Sequence, residues 1–302
     1  LDDGQELEYT RLLIASGAEV FVPPFTGKDK EGVFTLRYAK DSSAIKENAK
    51  GKKTAAVIGG GVLGLEAASE LNNLGLEVTV IEVADRILPR QLDVDASEIL
   101  EEIVKKAGIK FKKGVGTKEI TGDNRVNGIL LDNGEIVDAD LVVISTGVRA
   151  NSSIAEGCGV DIKRAIVVNN RMETSVPDVY ACGDCAEYNG INYALWSEAI
   201  EQGKTAGINL AGGNCVYETI IPSTTLNAFG SKVFSIGDVG SNPEVNYEVY
   251  EDCEGENFKK LYFVNGILAG GILIGDTSKT AALAEGFKKS KKMKEMIEKI
   301  KA

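Results

Sequence analysis

The sequence predicts an α/β protein of more than one domain, and three observations carry that expectation. The chain is 302 residues long, about twice what a single comfortable core needs. Between Lys53 and Glu82 an apolar strand runs directly into a glycine turn, a helix and a second strand, the order of a parallel-sheet unit. A turn-plus-strand pattern near the beginning recurs mid-chain, and internal similarity of that kind indicates related domains.

Lys53 to Ile58 has no polar interruption after Thr54, as a strand buried on both faces requires. Gly59-Gly60-Gly61-Val62-Leu63-Gly64 follows at once. Leu65, Ala68, Leu71 and Leu74 then recur at helical spacing, Gly75 supplies a stop, and Leu76 to Ile81 alternates as a second strand ending on Glu82. Strand, loop, helix, strand and terminal acid together read as a dinucleotide-binding unit. Gly59 permits the tight turn, Gly61 lets the backbone approach a pyrophosphate, and Gly64 allows close helix-to-sheet packing. The amides near Val62, Leu63 and Gly64, at the start of the helix, would hold the phosphates.

Glu82 lies roughly 20 residues beyond the loop, where a carboxylate accepts hydrogen bonds from ribose hydroxyls and repels a ribose phosphate. That favours NADH over NADPH. Nearby Arg86 argues the other way, since a guanidinium turned inward would serve a phosphate; the bland reading of Glu82 is a solvated strand end. Glu66, placed in the first turn of the helix, has two readings: a residue beside the nicotinamide path, or an acid that simply favours the helix dipole.

The recurring pattern is Leu1-Asp2-Asp3-Gly4, an apolar strand from Tyr9 to Ala15 and Ser16-Gly17, against Leu131-Asp132-Asn133-Gly134, a strand from Leu141 to Ser145 and Thr146-Gly147. The same interval separates Gly4 from Gly17 and Gly134 from Gly147. The glycine turn at Gly59 precedes the second copy, so its counterpart in the first copy would fall before Leu1 and the first domain is expected to be incomplete. Elsewhere, Asp41 to Ala49 reads as a helix, Val233 to Ile236 and Tyr247 to Tyr250 as strands, and Leu261 to Ile274 as a hairpin turning on Asn265-Gly266. Gly286 to Ala302 carries seven Lys and two Glu. Phe287, Met293, Met296, Ile297 and Ile300 give this tail a helical apolar face.

Composition removes whole classes of chemistry. The chain has no histidine, which excludes Ser-His-Asp and Cys-His nucleophile machinery and His-ligated zinc. Chemistry is therefore cofactor-borne or carboxylate-based, and no metal site is expected. A net charge of −11 repels polyanions and disfavours nucleic acid as a partner. Five cysteines are too few for a disulfide scaffold, so a cytoplasmic home is expected; Cys158, Cys215 and Cys253 read as packing residues. The longest uncharged apolar stretch is shorter than a bilayer span, so no membrane partner is expected.

The run from Thr174 to Asp184, with Val179-Tyr180-Ala181-Cys182-Gly183-Asp184 at its end, joins Ser16-Gly17, the loop at Gly59 and Thr146-Gly147-Val148-Arg149-Ala150-Asn151. In combination these resemble the two-dinucleotide-fold flavoprotein reductases, the pyridine nucleotide-disulfide oxidoreductase superfamily, over roughly residues 1–212. The resemblance implies two Rossmann-like domains of the glutathione-reductase type plus a small α+β carboxyl-terminal domain. Residues 1–36 and 149–212 would form the partial FAD-binding domain, 37–148 the inserted NADH-binding domain, and 213–302 the small domain. It implies that Asp184, after Gly183, binds the FAD ribityl chain, that Ser16-Gly17 is the turn near the flavin with serine in place of threonine, and that Gly147 marks the exit from the NADH domain. Glu66 matches the superfamily's helix glutamate near nicotinamide and flavin. A helix from near Leu195 would aim its amino end at the flavin.

Within the superfamily, Trp196 to Gly207 and the short carboxyl-terminal region are similar to rubredoxin reductases and to the flavin modules of nitrite reductases. The implied activity is hydride transfer from NADH to FAD, then electron transfer to a small iron–sulfur carrier such as rubredoxin. The tail lysines would steer an acidic carrier. Alternatives are an NADH oxidase or coenzyme A-disulfide reductase whose cysteine precedes Leu1, and an inactive fragment that binds only NADH. The Cys182-x-x-Cys185 spacing suits a disulfide, but Gly183 and Asp184 between the cysteines belong to the FAD motif.

Overall fold

The computed structural model describes residues 3–301; Leu1 and Asp2 of the recurring pattern lie outside them. In chain order, β1 (Leu12–Ile14), β2 (Ala18–Val20) and β3 (Val33–Thr35) precede α1 (Ala39–Ala49), β4 (Thr54–Ile58), α2 (Val62–Asn73), β5 (Glu77–Glu82), α3 (Val94–Lys106) and β6 (Lys110–Lys113). Next come β7 (Thr117–Thr121), β8 (Gly128–Leu131), β9 (Ile136–Asp138), β10 (Leu141–Ile144), β11 (Val148–Ala150), β12 (Ile166–Val168), β13 (Val179–Ala181) and β14 (Ala186–Tyr188). The chain finishes with α4 (Trp196–Leu210), β15 (Ser223–Ala228), β16 (Ser231–Gly237), β17 (Glu248–Glu254), β18 (Asn257–Val264), β19 (Ile267–Ile274), α5 (Thr280–Lys288) and α6 (Met293–Lys301). These elements form two compact units: residues up to Phe21 with Val148–Pro222, and Val22–Gly147 with the residues from Ser223 onward.

In the second unit β6, β5, β4, β10 and β3 form, in that spatial order, a wholly parallel sheet. Strand alternation sorts its side chains onto two faces. Ala55, Val57, Val78, Val80, Leu141 and Val143 pack with Leu65, Ala68 and Leu71 of α2 and with Leu100, Ile103 and Val104 of α3. Ala56, Ile58, Ile81, Val142 and Ile144 pack instead with Ile120, Ile129, Leu131 and Val137 of the β7–β9 meander. Both faces are dry, which is why β4 reads as an uninterrupted apolar run. The strand order reverses between β4 and β10, so their carboxyl ends flank a crevice of the kind that receives ligands in open parallel sheets.

Helix boundaries follow local chemistry. Gly61 caps α2, and Gly75 leaves it at φ +91°, the left-handed exit that glycine tolerates. Asp93 caps α3 by accepting the Ala96 N–H at 3.0 Å, while Lys105 and Lys106 sit in its last turn, as the helix dipole favours.

The carboxyl-terminal part of this unit is an antiparallel sheet ordered β15, β16, β19, β18, β17. Its β18–β19 hairpin turns on Asn265 and Gly266, both at positive φ, as a two-residue type I′ turn demands. One deep cross-link ties this sheet to α3: Lys260 of β18, almost fully buried, pairs with Asp93 at 2.6 Å, Asp95 at 2.5 Å and Glu251 at 3.0 Å, and the Tyr262 hydroxyl donates to Asp93 at 2.5 Å. The lysine-rich tail is two helices rather than the single helical face its sequence suggested. Ser290, at φ +46°, sits in the turn between α5 and α6, and the turn lets Leu283, Met296 and Ile300 all reach Phe234, Leu261 and Phe263 of the sheet. Among the described residues no helix is long and apolar enough to cross a membrane.

In the first unit β1 lies parallel to β13, with Leu12 opposite Val179 and Ile14 opposite Ala181. β2 runs antiparallel to β11, and α4 packs against β1 and β13. The recurring pattern survives in the backbone: Gly4, Gly17, Gly134 and Gly147 all adopt positive φ. The first strand is shorter than the expected Tyr9–Ala15, because only Leu12–Ile14 find partners on β13.

Candidate nucleotide-binding sites

The glycine turn joins β4 to α2 at the crevice between β4 and β10. Gly59 stands at φ +113°, and a side chain there would collide with the Ser145 carbonyl beyond β10. A Cβ on Gly64 would strike the Gly59 carbonyl, so the first turn of α2 lies directly on the loop. Gly61 is different: its Cβ direction meets no atom within 4 Å. Two glycines are thus filled by protein and the third borders open space. The first intrahelical bond, Leu65 N–H to Gly61 O, is 2.9 Å. The amides of Val62, Leu63 and Gly64 precede it in the helix start, and α2 has no capping side chain and no acid in its first turn. Such an end leaves backbone N–H groups without intrahelical partners.

Glu82, half-buried at the end of β5, points back to this turn. Its Oε2 accepts the Gly60 N–H at 2.6 Å and its Oε1 accepts the Ala84 N–H at 2.8 Å. The carboxylate is therefore fixed rather than a loose strand end, and each oxygen keeps a lone pair for a further donor. Arg86 is turned elsewhere: it lies 3.3 Å from Asp85 and donates to the Pro89 carbonyl at 3.2 Å.

Glu66 does not lie in the first turn of α2, as the sequence reading had it, but just beyond it, because the helix begins at Val62. Its carboxylate accepts the Asn227 N–H of β15, and burial pushes its pKa up. Ser69, one turn along, accepts the Phe229 N–H at 2.9 Å. Asn227 lies on β15, the outermost strand of the carboxyl-terminal sheet, and Phe229 in the turn just after it, so α2 covers the end of that strand's free edge. Gly147, at φ +92°, follows β10 with open space around its Cβ direction.

In the first unit, Ser16-Gly17 follow β1 and Gly183-Asp184 follow β13, so pairing of these parallel strands brings the two motifs together at neighbouring carboxyl ends. The Ser16 hydroxyl donates to the Asn151 carbonyl at 2.5 Å, and Asn151 N–H donates to Gly17 O at 2.9 Å. Gly183 adopts φ +75° and Asp184 is half-buried. Cys182 and Cys185 are free, buried thiols; burial, reinforced by Cys185, pushes Cys182 up to about 11. Cys158 and Cys253 are exposed, against the expectation that they pack.

Sequence reasoning missed the buried and half-buried polar side chains around these motifs. Glu198, Gln202 and Asn192 surround the Asp184 turn, and Lys260 holds the α3 cap. Their signal was a polar residue at a helical or strand position facing the core, which is visible only once its partner is known.

Comparison with known proteins follows this geometry. The profile of the pyridine nucleotide-disulphide oxidoreductase family matches residues 1–203. The chain belongs to this family. A second profile, the rubredoxin NAD+ reductase C-terminal domain, matches residues 222–301. Among members and relatives, nitrite reductase [NAD(P)H] of Bacillus subtilis is 39% identical over 272 residues, covering 89% of this chain and 34% of that protein. NADH-rubredoxin oxidoreductase of Clostridium acetobutylicum is 30% identical over 294 residues, covering 96% of this chain and 72% of that protein. The solved NAD-dependent persulfide reductase of A. fulgidus aligns with a TM-score of 0.87 at 30% identity, covering 96% of this chain and 59% of that one. The first curated relatives are longer proteins, of which the chain spans 34%, 38% and 53%.

Proposed function

We propose that the protein is an FAD-dependent NADH oxidoreductase that takes hydride from NADH and passes electrons to a small iron–sulfur carrier such as rubredoxin. One observation carries this reading: Gly59 and Gly64 are filled by protein while Gly61 borders open space beside the free first-turn amides of α2. The residues fit a dinucleotide. Val62, Leu63 and Gly64 would hold the pyrophosphate, Gly61 would let it approach, and Glu82 would accept the ribose hydroxyls. Glu82 also disfavours a ribose phosphate, and Arg86 is engaged with Asp85 and Pro89, which supports NADH over NADPH.

For FAD, Asp184 and Gly183 would hold the ribityl side, with Ser16-Gly17 beside them and Gly147 ending the nicotinamide-binding segment. The bound nicotinamide and flavin supply the hydride and single-electron chemistry, and the chain supplies binding and orientation. Glu66 would flank the nicotinamide. Its half-buried carboxylate is held by the Asn227 N–H, and burial pushes its pKa up. Five cysteines in a chain of this length suit a cytoplasmic setting.

The carrier would dock on the tail. Lys289, Lys291 and Lys299 are paired with Glu285 and Glu295, whereas Lys288, Lys292 and Lys294 project as exposed cations suited to an acidic partner. The test is anaerobic spectroscopy of the full protein. NADH should bleach an FAD spectrum faster than NADPH, and oxidised rubredoxin should restore it with a rate that falls as salt rises. A flavin that NADH leaves oxidised would contradict the reading. Reversing the charge of Lys288, Lys292 and Lys294 without changing the salt dependence would contradict the docking surface alone.

A further inference from the structure

The turn that carries Asp184 is held from outside by side chains of two other segments. Gly183 N–H donates to Oε1 of Gln202 at 2.8 Å, and Gln202 is wholly buried on α4. Asn192 reaches the other side of the turn, its Nδ2 donating to the carbonyls of Asp184 and Ala186, each at 2.8 Å. Asp184 is thus bracketed by two side-chain amides, one binding the peptide before it and one the peptides after it.

The same scaffold holds a strained neighbour. Ala194, immediately before the cap of α4, sits at φ +51°, a left-handed conformation that alanine adopts at a cost. The carboxylate of Glu198, only 4% exposed, accepts the N–H of Tyr193 at 2.9 Å and that of Ala194. Burial, with Asp184 adding to it, pushes the pKa of this carboxyl up, against the two N–H bonds that favour its charged form. Glu198 and Gln202 are one helical turn apart on the buried face of α4. Strain that the surroundings over-determine is a known mark of preset ligand contacts.

We propose that Gln202, Asn192 and Glu198 are positioning residues that preset the Asp184 turn and the Tyr193–Ala194 turn for the flavin cofactor, themselves acting only through those turns. The inference rests on the proposed function, which gives Asp184 to FAD.

The test uses the full protein titrated with FAD, reading dissociation constant, flavin midpoint potential and melting temperature. Gln202→Leu and Asn192→Leu each leave buried backbone groups without partners and should weaken FAD roughly tenfold or more, while NADH affinity stays at the wild-type value. Ala194→Gly removes the strain and should melt no lower than wild type, yet bind FAD more weakly and shift its midpoint potential. Merely structural residues would lower the melting temperature and leave FAD affinity and potential unmoved, and that result overturns the inference. Wild-type protein that takes up no FAD would overturn the flavin reading, and this inference with it. FAD binding that survives Gln202→Leu and Asn192→Leu unchanged overturns the inference alone.

Discussion

Glu82 closes onto Gly60: a carboxylate oxygen at the end of one strand accepts, at 2.6 Å, a backbone N–H of the turn that follows the neighbouring strand. The acid expected to read a ribose is also the brace that sets the shape of the phosphate turn. Glu82→Leu should therefore do two things together. It should lower NADH affinity about tenfold or more and cost about 1–3 kcal/mol of stability through the amides left unpaired. Calorimetric titration and urea unfolding would read both; loss of affinity with unchanged stability would contradict the bracing role.

The glycines separate binding from folding more cleanly. Gly61→Ala meets open space at an ordinary negative φ, so it should cost less than about 1 kcal/mol, the scale of a cap change, while narrowing the approach to the turn and weakening NADH. Gly64→Ala drives a methyl group into the Gly59 carbonyl and should cost about 1–3 kcal/mol. Equal effects of the two substitutions on unfolding would count against this assignment.

Buried Lys260 pairs with largely buried Asp93 and with the more exposed Asp95 and Glu251. Lys260→Met should destabilise by about 1–3 kcal/mol, chiefly through Asp93, which loses its buried cation but keeps its bonds from Tyr262 and Ala96, while the exposed Asp95 and Glu251 are screened by solvent. The same network gives a pH signature. Asp93 is held below its ordinary value of 3.8 by its bonds from Lys260, Tyr262 and Ala96, which outweigh the opposing effect of burial. Its stabilisation is full above that value and is lost as pH falls through the lower folded value. Acid unfolding of wild type below pH 3.8 should thus lose a contribution that Asp93→Asn lacks throughout.

The cysteines make a chemical prediction. Native protein treated with a maleimide near neutral pH should label at exposed Cys158 and Cys253, whereas Cys182, buried and raised to about 11, stays a thiol and resists. Mass spectrometry of the digested product reads the sites. Rapid labelling at Cys182 would restore a redox role to the Cys182–Cys185 pair.

Much of this architecture was legible in the residues. The glycine turn and the helix after it were readable because Gly59 and Gly64 are pressed against backbone carbonyls where no side chain fits. The Asn265-Gly266 hairpin was readable because a two-residue turn needs left-handed conformations. The helical apolar face of the tail was legible in its spacing, whereas the break at Ser290 that lets both Leu283 and Ile300 pack on the sheet was not. Glu66 was read as a nicotinamide neighbour or a dipole partner; its bond to Asn227 depends on a strand far along the chain, which no local pattern encodes. Gln202 and Asn192 were invisible for the same reason.

The most direct measurement is a crystal structure of the protein soaked with NADH. The account predicts the pyrophosphate on the amides of Val62, Leu63 and Gly64, above the bare Cα of Gly61, with the adenosine ribose hydroxyls bonded to Glu82. Nucleotide density away from this turn, or a ribose turned from Glu82, would contradict it.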